Sequence, residues 1–580
     1  MSRPYQELRP SQFVITFGPG SVLETGSGPV VLKSMDTLFN GISRPPQDFE
    51  ILDDRLSRLG LHGARIARVP TNAELQLPAD AAIYPSDAFP YWALCARHRP
   101  HQILYEAGGG CPECPAAPGW QRRQKAGREA IRFVVACQNG HLDEVNWHRL
   151  VHPGTRCGTR HYLWLGGGRA LRHVWIECPK CEAQANFGQA YARPWPCTDR
   201  LPEYGTRPDQ GTLHCTEDAR IVQRGSANLR LAELVTALTI MDMPTRLHNI
   251  LGDRSLLGAI GALFRRNLLD HDALLEEASH AGLSPDAIAY LRRTPWTDVQ
   301  AGLDQLLGIH HSDSMSLRDD EFERLQNAAT HGAPAIPHPQ LGSPSLFEVR
   351  QADVRSVMGP EGRLGLRVSP VSRLRMVMVQ TGYRRLDPQT GQVVATSFDR
   401  NGVTWFPGIE LFGEGIFIDL GDTPLALVGD RIAPWQARHA LGPQPDPVLH
   451  PVHVWWHSLS HRLLWALSVD SGYSSAAIRE RVYFRHEEGK IAGGGLLLYT
   501  VQPGGDGTMG GMVSLVSRFE NVLVAALQDV DTCSNDPLCQ EAPTVGADGA
   551  ACYSCQFASE TSCEHRNHGL DRLLLRDNLP

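Results

Sequence analysis

Near its C-terminus this chain carries Cys533-x5-Cys539-x12-Cys552-x2-Cys555-x7-Cys563, and that run constrains the fold more than any apolar pattern does. A thiolate quartet that closes on one metal ion needs a close C-x2-C pair on one turn and a second pair brought in by a loop. The segment supplies both. No cysteine lies between Cys215 and Cys533, so the cluster is local and is expected to be a structural zinc site.

The 580 residues exceed what one hydrophobic core usually supports, so several domains are expected. With 42% hydrophobic and 20% charged residues the chain has the composition of an ordinary folded protein. Its net charge of −8 excludes a uniformly basic, histone-like coat on nucleic acid while allowing a local basic groove. Lysine occurs only at Lys33, Lys125, Lys180 and Lys490, so arginine supplies almost all the cations. The first 17 residues lack the apolar run of a secretory signal, and no stretch approaches a membrane span. A cytoplasmic protein without membrane contact is expected. In that reducing compartment paired cysteines mean metal rather than disulfide.

Residues 1–90 read as short strands and turns, among them Phe13–Phe17 and Val30–Leu32. The glycines from Gly18 to Gly28 lack the Gly-Lys-Ser/Thr ending of a phosphate loop and read as a hairpin turn. Residues 91–228 are expected to form a zinc-ribbon module with little core of its own. Cys95, His98, Cys111 and Cys114 have the spacing of one ribbon, with His101 as an alternative to His98. Cys178, Cys181, Cys197 and Cys215 are expected to form a second, for which Cys157 competes. Cys137, His141, His152 and Cys157 have irregular spacing; a packed structural motif is preferred there over a Cys2His2 site. Between the ribbon segments, Arg122, Arg123, Lys125 and Arg128 are candidate phosphate contacts, with a solvated loop as the plainer reading.

Leu231, Leu234, Val235 and Leu238, followed by Leu256, Ile260, Leu263, Leu268 and Leu274, recur at helical spacing and predict a helical domain over 229–332. Ser284-Pro285 opens one of its helices. His310 and His311 read as solvated surface. Residues 333–450 are read as a proline-punctuated linker and a β-rich domain holding Leu374–Val379 and Gly415–Leu420. Glu410, Glu414 and Asp419 there are the carboxylates a hydrolase would want, with a strand-end turn as the default. The last domain, 451–580, opens with a helix bearing His457 and His461. A helix through Ile478–Val482 is expected next, then a buried strand Gly495–Thr500, a glycine-rich loop Pro503–Gly511 and a helix over Leu515–Leu527. A strand-to-helix turn of that kind can hold an anion such as a phosphate, or can simply pack tightly. The fold class is therefore multidomain α+β: a zinc-ribbon-containing N-terminal module, a helical middle, a β-rich segment and a C-terminal α/β zinc-binding domain.

Pro503-Gly504-Gly505, the His457/His461 pair and the cysteine tail ending in Asn567 and Leu570-Asp571-Arg572 resemble the zinc-binding domain appended to MrfA-type DNA-repair helicases. Arg9-Pro10-Ser11-Gln12 with Phe17-Gly18-Pro19-Gly20, Arg132-Phe133-Val134 with Cys137 and Gly140-His141, Gly413–Phe417 and Asp506–Gly511 make most of the chain, the helical middle least, similar to the DrmB family of DISARM anti-phage systems. The resemblance implies a non-catalytic partner of a DrmA-type helicase that engages DNA through the complex. It also implies a zinc ligand set within Cys533, Cys539, Cys552, Cys555 and Cys563, of which one is surplus. Cys563, next to the polar Glu564–Asn567 run, is the first to drop. The sequence agrees on one point of its own: no G-x4-G-K-[ST] occurs, so no P-loop hydrolyses ATP here. Two rival readings are a metal-dependent nuclease built on His457, His461, Asp506 or Glu414, and a stand-alone zinc-ribbon DNA-binding protein.

Overall fold

The structure, a computed structural model, describes residues 7–580 apart from 54, 109, 115–127, 168–169, 206–214, 241–245, 252, 266–267, 298, 301–302, 304–315, 334–345, 389, 422, 441–445, 486–492, 504–509, 542–548 and 560. The chain is multidomain α+β and divides into two compact units. One comprises Met1–Ala237 with Met376–Leu411, the other Leu238–Arg375 with Phe412–Pro580. Two long strands, Gly365–Arg384 and Val403–Asp419, each begin in one unit and end in the other.

In the first unit, the expected strand Phe13–Phe17 is instead the end of a helix, Pro10–Ile15. Pro10 occupies the first turn, where its missing N–H costs nothing, and Gln12 Oε1 accepts the Arg9 N–H at 3.1 Å. Phe13 and Val14 become its buried face. Strands Val22–Thr25 and Gly28–Leu32 pair antiparallel with Thr25 opposite Gly28, so the glycine-rich stretch ends in a hairpin turn. Gly28 takes a φ of +114°, open to glycine and strained for other residues.

Two antiparallel sheets follow. One runs Gln184–Asn186, Trp175–Glu177, His161–Leu165, Gln102–Glu106, Trp92–Cys95, Arg128–Ala130; the other Trp195–Pro196, Asp218–Gln223, Phe133–Ala136, Leu142–Glu144. The expectation of little core fails here. Phe133, Trp147, Tyr162, Trp164, Ile176, Phe187 and Ile221 are buried together, and Phe133 meets Phe187 edge-on at 4.7 Å between ring centroids. Aromatic side chains on the inner faces of short strands bury enough area for a core that the cysteine spacing conceals. Arg385, fully buried, donates from Nε to Gly140 O (2.8 Å), from Nη1 to Leu229 O (2.8 Å) and from Nη2 to Gly20 O (2.9 Å). Its planar fork thus satisfies three loop carbonyls at once.

Leu231–Leu238, expected to be helical, is a strand beside Gly365–Arg384. Glu233 pairs with Arg384 at 2.8 Å across that strand pair. Leucines at helical spacing fit a strand equally well once a neighbour offers backbone partners, and Val235 and Thr236 favour it.

The second unit does hold helices in the middle of the chain: Arg246–Leu251, Arg254–Arg265, His271–His280 and Pro285–Arg293 surround a separate core of Leu251, Leu256, Ile260, Leu274 and Leu291. Ser284 Oγ accepts the Ala287 N–H at 3.2 Å, capping the last of them as the Ser-Pro pair predicts. The largest core lies around the helix Pro451–Asp470, whose Trp455, Trp456, Leu459, Leu463 and Leu467 are buried against Ile416, Ile418, Leu496, Leu498 and Phe519. The expected helix through Ile478–Val482 is the strand Ile478–Arg485, paired antiparallel with Gly493–Pro503 from Ile478 opposite Thr500 to Arg485 opposite Gly493. Val482, Tyr483 and Phe484 suit a pleated, buried surface better than a helix. The helix expected over Leu515–Leu527 is a 3-10 turn, Val513–Arg518, leading into the helix Phe519–Leu527. Among the described residues no helix is long and apolar enough to cross a membrane.

One buried ion pair ties this unit together. Arg481 meets Glu321 of the helix Leu317–His331 through Nε at 2.6 Å and Nη2 at 3.0 Å, and Tyr483 Oη donates to the same carboxylate at 3.1 Å. Arg481 and Glu321 are both 0% exposed. Removing one partner strands a charge without water. Arg481→Ala is therefore expected to cost about 3–5 kcal/mol, read as a lower urea midpoint; an unchanged midpoint would show that the pair contributes nothing.

Candidate metal centres

Four groups of cysteine and histidine side chains converge so that within each group all donor atoms lie within 4.8 Å of one another. The tail group comprises Cys533, Cys539, Cys552 and Cys555. Its sulfurs stand 3.5 Å apart for Cys533–Cys552, 3.7 Å for Cys539–Cys555 and 3.7 Å for Cys552–Cys555. Four sulfurs about 2.3 Å from a common tetrahedral centre stand roughly 3.8 Å apart, so the spacing fits zinc. The turns around them are built for thiolates: Asn535 N and Ser554 N each donate to the cysteine two residues earlier, Cys533 and Cys552, at 3.4 Å. Arg572 anchors the first loop by donating from Nη2 to both oxygens of Asp536, at 2.6 and 2.7 Å, while Cys533 N donates to Asp536 at 2.9 Å. Burial pushes the Cys539 thiol up to about 11, and a cation beside it favours the metal-binding thiolate.

In the first unit, Cys95 sits on the strand Trp92–Cys95, while Cys111 and Cys114 flank a turn closed by Cys114 N donating to Cys111 O at 3.3 Å. His98 Nε2 lies 3.3 Å from Cys111 Sγ and 3.4 Å from Cys114 Sγ, and Cys95 Sγ lies 3.7 Å from Cys114 Sγ. The histidine in this group is His98, not His101. Burial raises the Cys111 thiol to about 12.

The four-thiolate ribbon of Cys178, Cys181, Cys197 and Cys215 is not assembled. Cys178 and Cys181 converge with His152 and Cys157, whereas Cys197 and Cys215 converge with Cys137 and His141. In the former group His152 Nε2 is 3.2 Å from Cys181 and Cys157 is 3.7 Å from Cys178. In the latter, His141 Nδ1 is 3.4 Å from both Cys137 and Cys197, and Cys137 lies 3.6 Å from Cys197 and 4.0 Å from Cys215. A hydrogen bond from Cys197 is the main cause that draws the Cys137 thiol down to about 4. The reason is topological. The strand Phe133–Ala136 pairs with Asp218–Gln223, which itself pairs with Trp195–Pro196, so Cys137, Cys215 and Cys197 emerge at neighbouring strand ends. Cys178 ends a strand of the other sheet. It follows that Cys137, His141, His152 and Cys157 do not share one Cys2His2 site: Cys137 and His141 fall in one group, His152 and Cys157 in the other. One site is nested inside the other along the chain, with His152, Cys157, Cys178 and Cys181 lying between His141 and Cys197, and that nesting is the signal that regular ribbon spacing obscures.

Of the candidate phosphate contacts, Arg122, Arg123 and Lys125 lie outside the described residues, and Arg128 begins the strand Arg128–Ala130. His310, His311, the proline-rich stretch 334–345 and Gly504–Met509 with Asp506 also lie outside them. The hydrolase carboxylates are engaged elsewhere: Asp419 takes Arg367 at 2.7 Å and Gln326 at 3.3 Å, and Glu414 accepts from Tyr473 Oη at 3.2 Å and Met512 N at 3.1 Å.

Two known families match the chain. A domain of unknown function, DUF8724, matches residues 9–231, and the MrfA Zn-binding domain matches residues 459–556. The chain resembles the DISARM protein DrmB of Bacillus paralicheniformis, with 25% identity over 553 residues that span 88% of this chain and 90% of the relative. A solved structure, the DUF1998 helicase MrfA bound to DNA, aligns at 13% identity with a TM-score of 0.20, covering 37% of this chain and 23% of the helicase, so the chain spans about a quarter of that protein. The thiolate geometry of the tail and the match to a Zn-binding domain agree, and zinc is the cofactor of this chain.

If Cys178 and Cys197 serve two separate, nested sites, the double variant Cys178→Ser with Cys197→Ser loses about two zinc ions per chain by mass spectrometry, one from each group. A single ribbon containing both residues would lose about one.

Proposed function

We propose that this chain is a zinc-binding, non-catalytic subunit of a DISARM-type anti-phage defence complex, in which it partners a DrmA-type helicase and helps bind DNA through that complex. The observation that carries the reading is the resemblance to DISARM protein DrmB across 88% of this chain and 90% of that relative, which covers both units rather than one module. The zinc clusters supply the physical role. Each closes a set of four protein donors around one point, leaving no position for substrate, as structural zinc sites do. A cation there links strand ends and loops that present the ligands, so the metal supports a surface rather than a reaction.

The rival nuclease needs carboxylate and histidine ligands with an open position facing solvent. His457 and His461 are 0% exposed, and Glu414 and Asp419 are buried in other hydrogen bonds. That arrangement favours a scaffold.

Mixed at equal concentration, this protein and a DrmA-type helicase are expected to co-elute in size-exclusion chromatography. Together they should bind DNA at least about tenfold more tightly than either alone, a difference of about 1.4 kcal/mol. Independent elution would sink the proposal. The pair Cys552→Ser with Cys555→Ser should lose the helicase as its last domain unfolds; a folded variant that still binds the helicase would show that the tail zinc is dispensable for the partnership.

A further inference from the structure

Thirteen of the chain's 14 cysteines fall in the four groups above, and the fourteenth, Cys563, does not stand alone. Its sulfur converges with His457, His461 and Glu480, all donor atoms again within 4.8 Å of one another and all four residues buried. His457 and His461 project from successive turns of the helix Pro451–Asp470, Glu480 from the strand Ile478–Arg485, and Cys563 from the tail beyond the four-thiolate group. His457 Nε2 is 2.9 Å from Glu480 Oε1 and 3.2 Å from Cys563 Sγ, and His461 Nε2 is 3.2 Å from the same Glu480 oxygen. We infer that these four side chains form a fifth, closed zinc site, of His2GluCys type, that locks the cysteine tail onto the helix and strand beneath it.

The hydrogen bonds decide between a cation and plain polar packing. His457 Nδ1 faces Gly569 O at 3.1 Å and His461 Nδ1 faces Gln556 O at 2.6 Å. A carbonyl oxygen only accepts, so each Nδ1 carries a proton and each ring turns its Nε2, the atom that can ligate a metal, to the Glu480 oxygen and the Cys563 sulfur. Two imidazole nitrogens, a carboxylate oxygen and a sulfur thus meet at one point. Holding both rings instead as imidazolium ions, 4.6 Å apart by centroid and buried, would set two positive charges against the single carboxylate of Glu480. One Zn2+ with two neutral imidazoles, one carboxylate and one thiolate sums to zero charge.

The surroundings are those of metal ligands. Backbone carbonyls fix both imidazole tautomers, as outer partners of zinc-bound histidines do. Ser460 Oγ donates to the second oxygen of Glu480, leaving Oε1 to the site. Arg566 and Asn567 take left-handed conformations, φ +53° and +62°, which curl the chain so that Asn567 N donates to Cys563 Sγ at 3.2 Å. The same N–H to sulfur bond marks Cys533 and Cys552 in the tail group. Glu480 N donates to Ser562 O at 2.9 Å, so strand and tail already touch beside the proposed ion.

Anomalous diffraction from crystals of the full chain, recorded on both sides of the zinc absorption edge, tests the site directly. A zinc peak among His457, His461, Glu480 and Cys563 is the expected result; the absence of a zinc peak there overturns the proposal whatever the other clusters hold. In solution, Cys563→Ala and His461→Asn should each contain about one zinc fewer than the natural chain, counted by elemental analysis beside protein concentration. Folded variants with unchanged zinc content would equally overturn it. If both variants fail to fold, the anomalous map of the natural chain still decides. Zinc at this position does not depend on whether the helicase binds.

Discussion

Convergent thiolates and imidazoles are the constraint on which much of this structure depends. Sulfurs 3.5–3.7 Å apart, as in the tail, cannot all be ionised without a cation between them. Burial, with the neighbouring cysteines, holds the Cys539 and Cys111 thiols above their ordinary range. With zinc in place the same geometry turns from repulsive to attractive, and the loops that present the ligands become fixed. Folding and metal binding are then one equilibrium, so the tail has no reason to keep its shape without the ion.

Apolar packing does a different job. The aromatic cluster around Phe133, Trp147 and Phe187 gives the first unit a core of its own, and the helix Pro451–Asp470 does the same for the second. Charged groups inside these cores are paired rather than avoided. Arg385 satisfies loop carbonyls, and Arg481 is matched to Glu321. Such contacts add little net stability over an apolar replacement, but once present they cannot be half removed, because the remaining partner is left desolvated.

Much of the site was legible in the sequence because metal-ligand pairs are local. Cys95, His98, Cys111 and Cys114 converge as their spacing suggests, and so do Cys533, Cys539, Cys552 and Cys555. Cys178, Cys181, Cys197 and Cys215 do not, because chain proximity is a poor guide once strands from two sheets alternate. Secondary structure failed in the same way at Leu231–Leu238 and Ile478–Arg485. Both have spacing compatible with a helix, and both found strand partners: Gly365–Arg384, far along the chain, for the first, and the next strand, Gly493–Pro503, for the second.

The sequence by itself determined part of the chemistry: which close Cys and His pairs start a metal-ligand set, that no P-loop is present, and that the tail cysteines form a local cluster. Short-range spacing carries that information, since a C-x2-C turn is complete within four residues. Only the tertiary structure decided the partners. Pairing of Phe133–Ala136 with Asp218–Gln223 sends Cys137 to Cys215, and the packing of strand and tail against the helix Pro451–Asp470 brings Glu480 and Cys563 to His457 and His461. Ligands contributed by elements far apart in sequence meet only after those elements have packed, and that packing is governed by buried area and backbone pairing, to which the spacing of the ligands is blind.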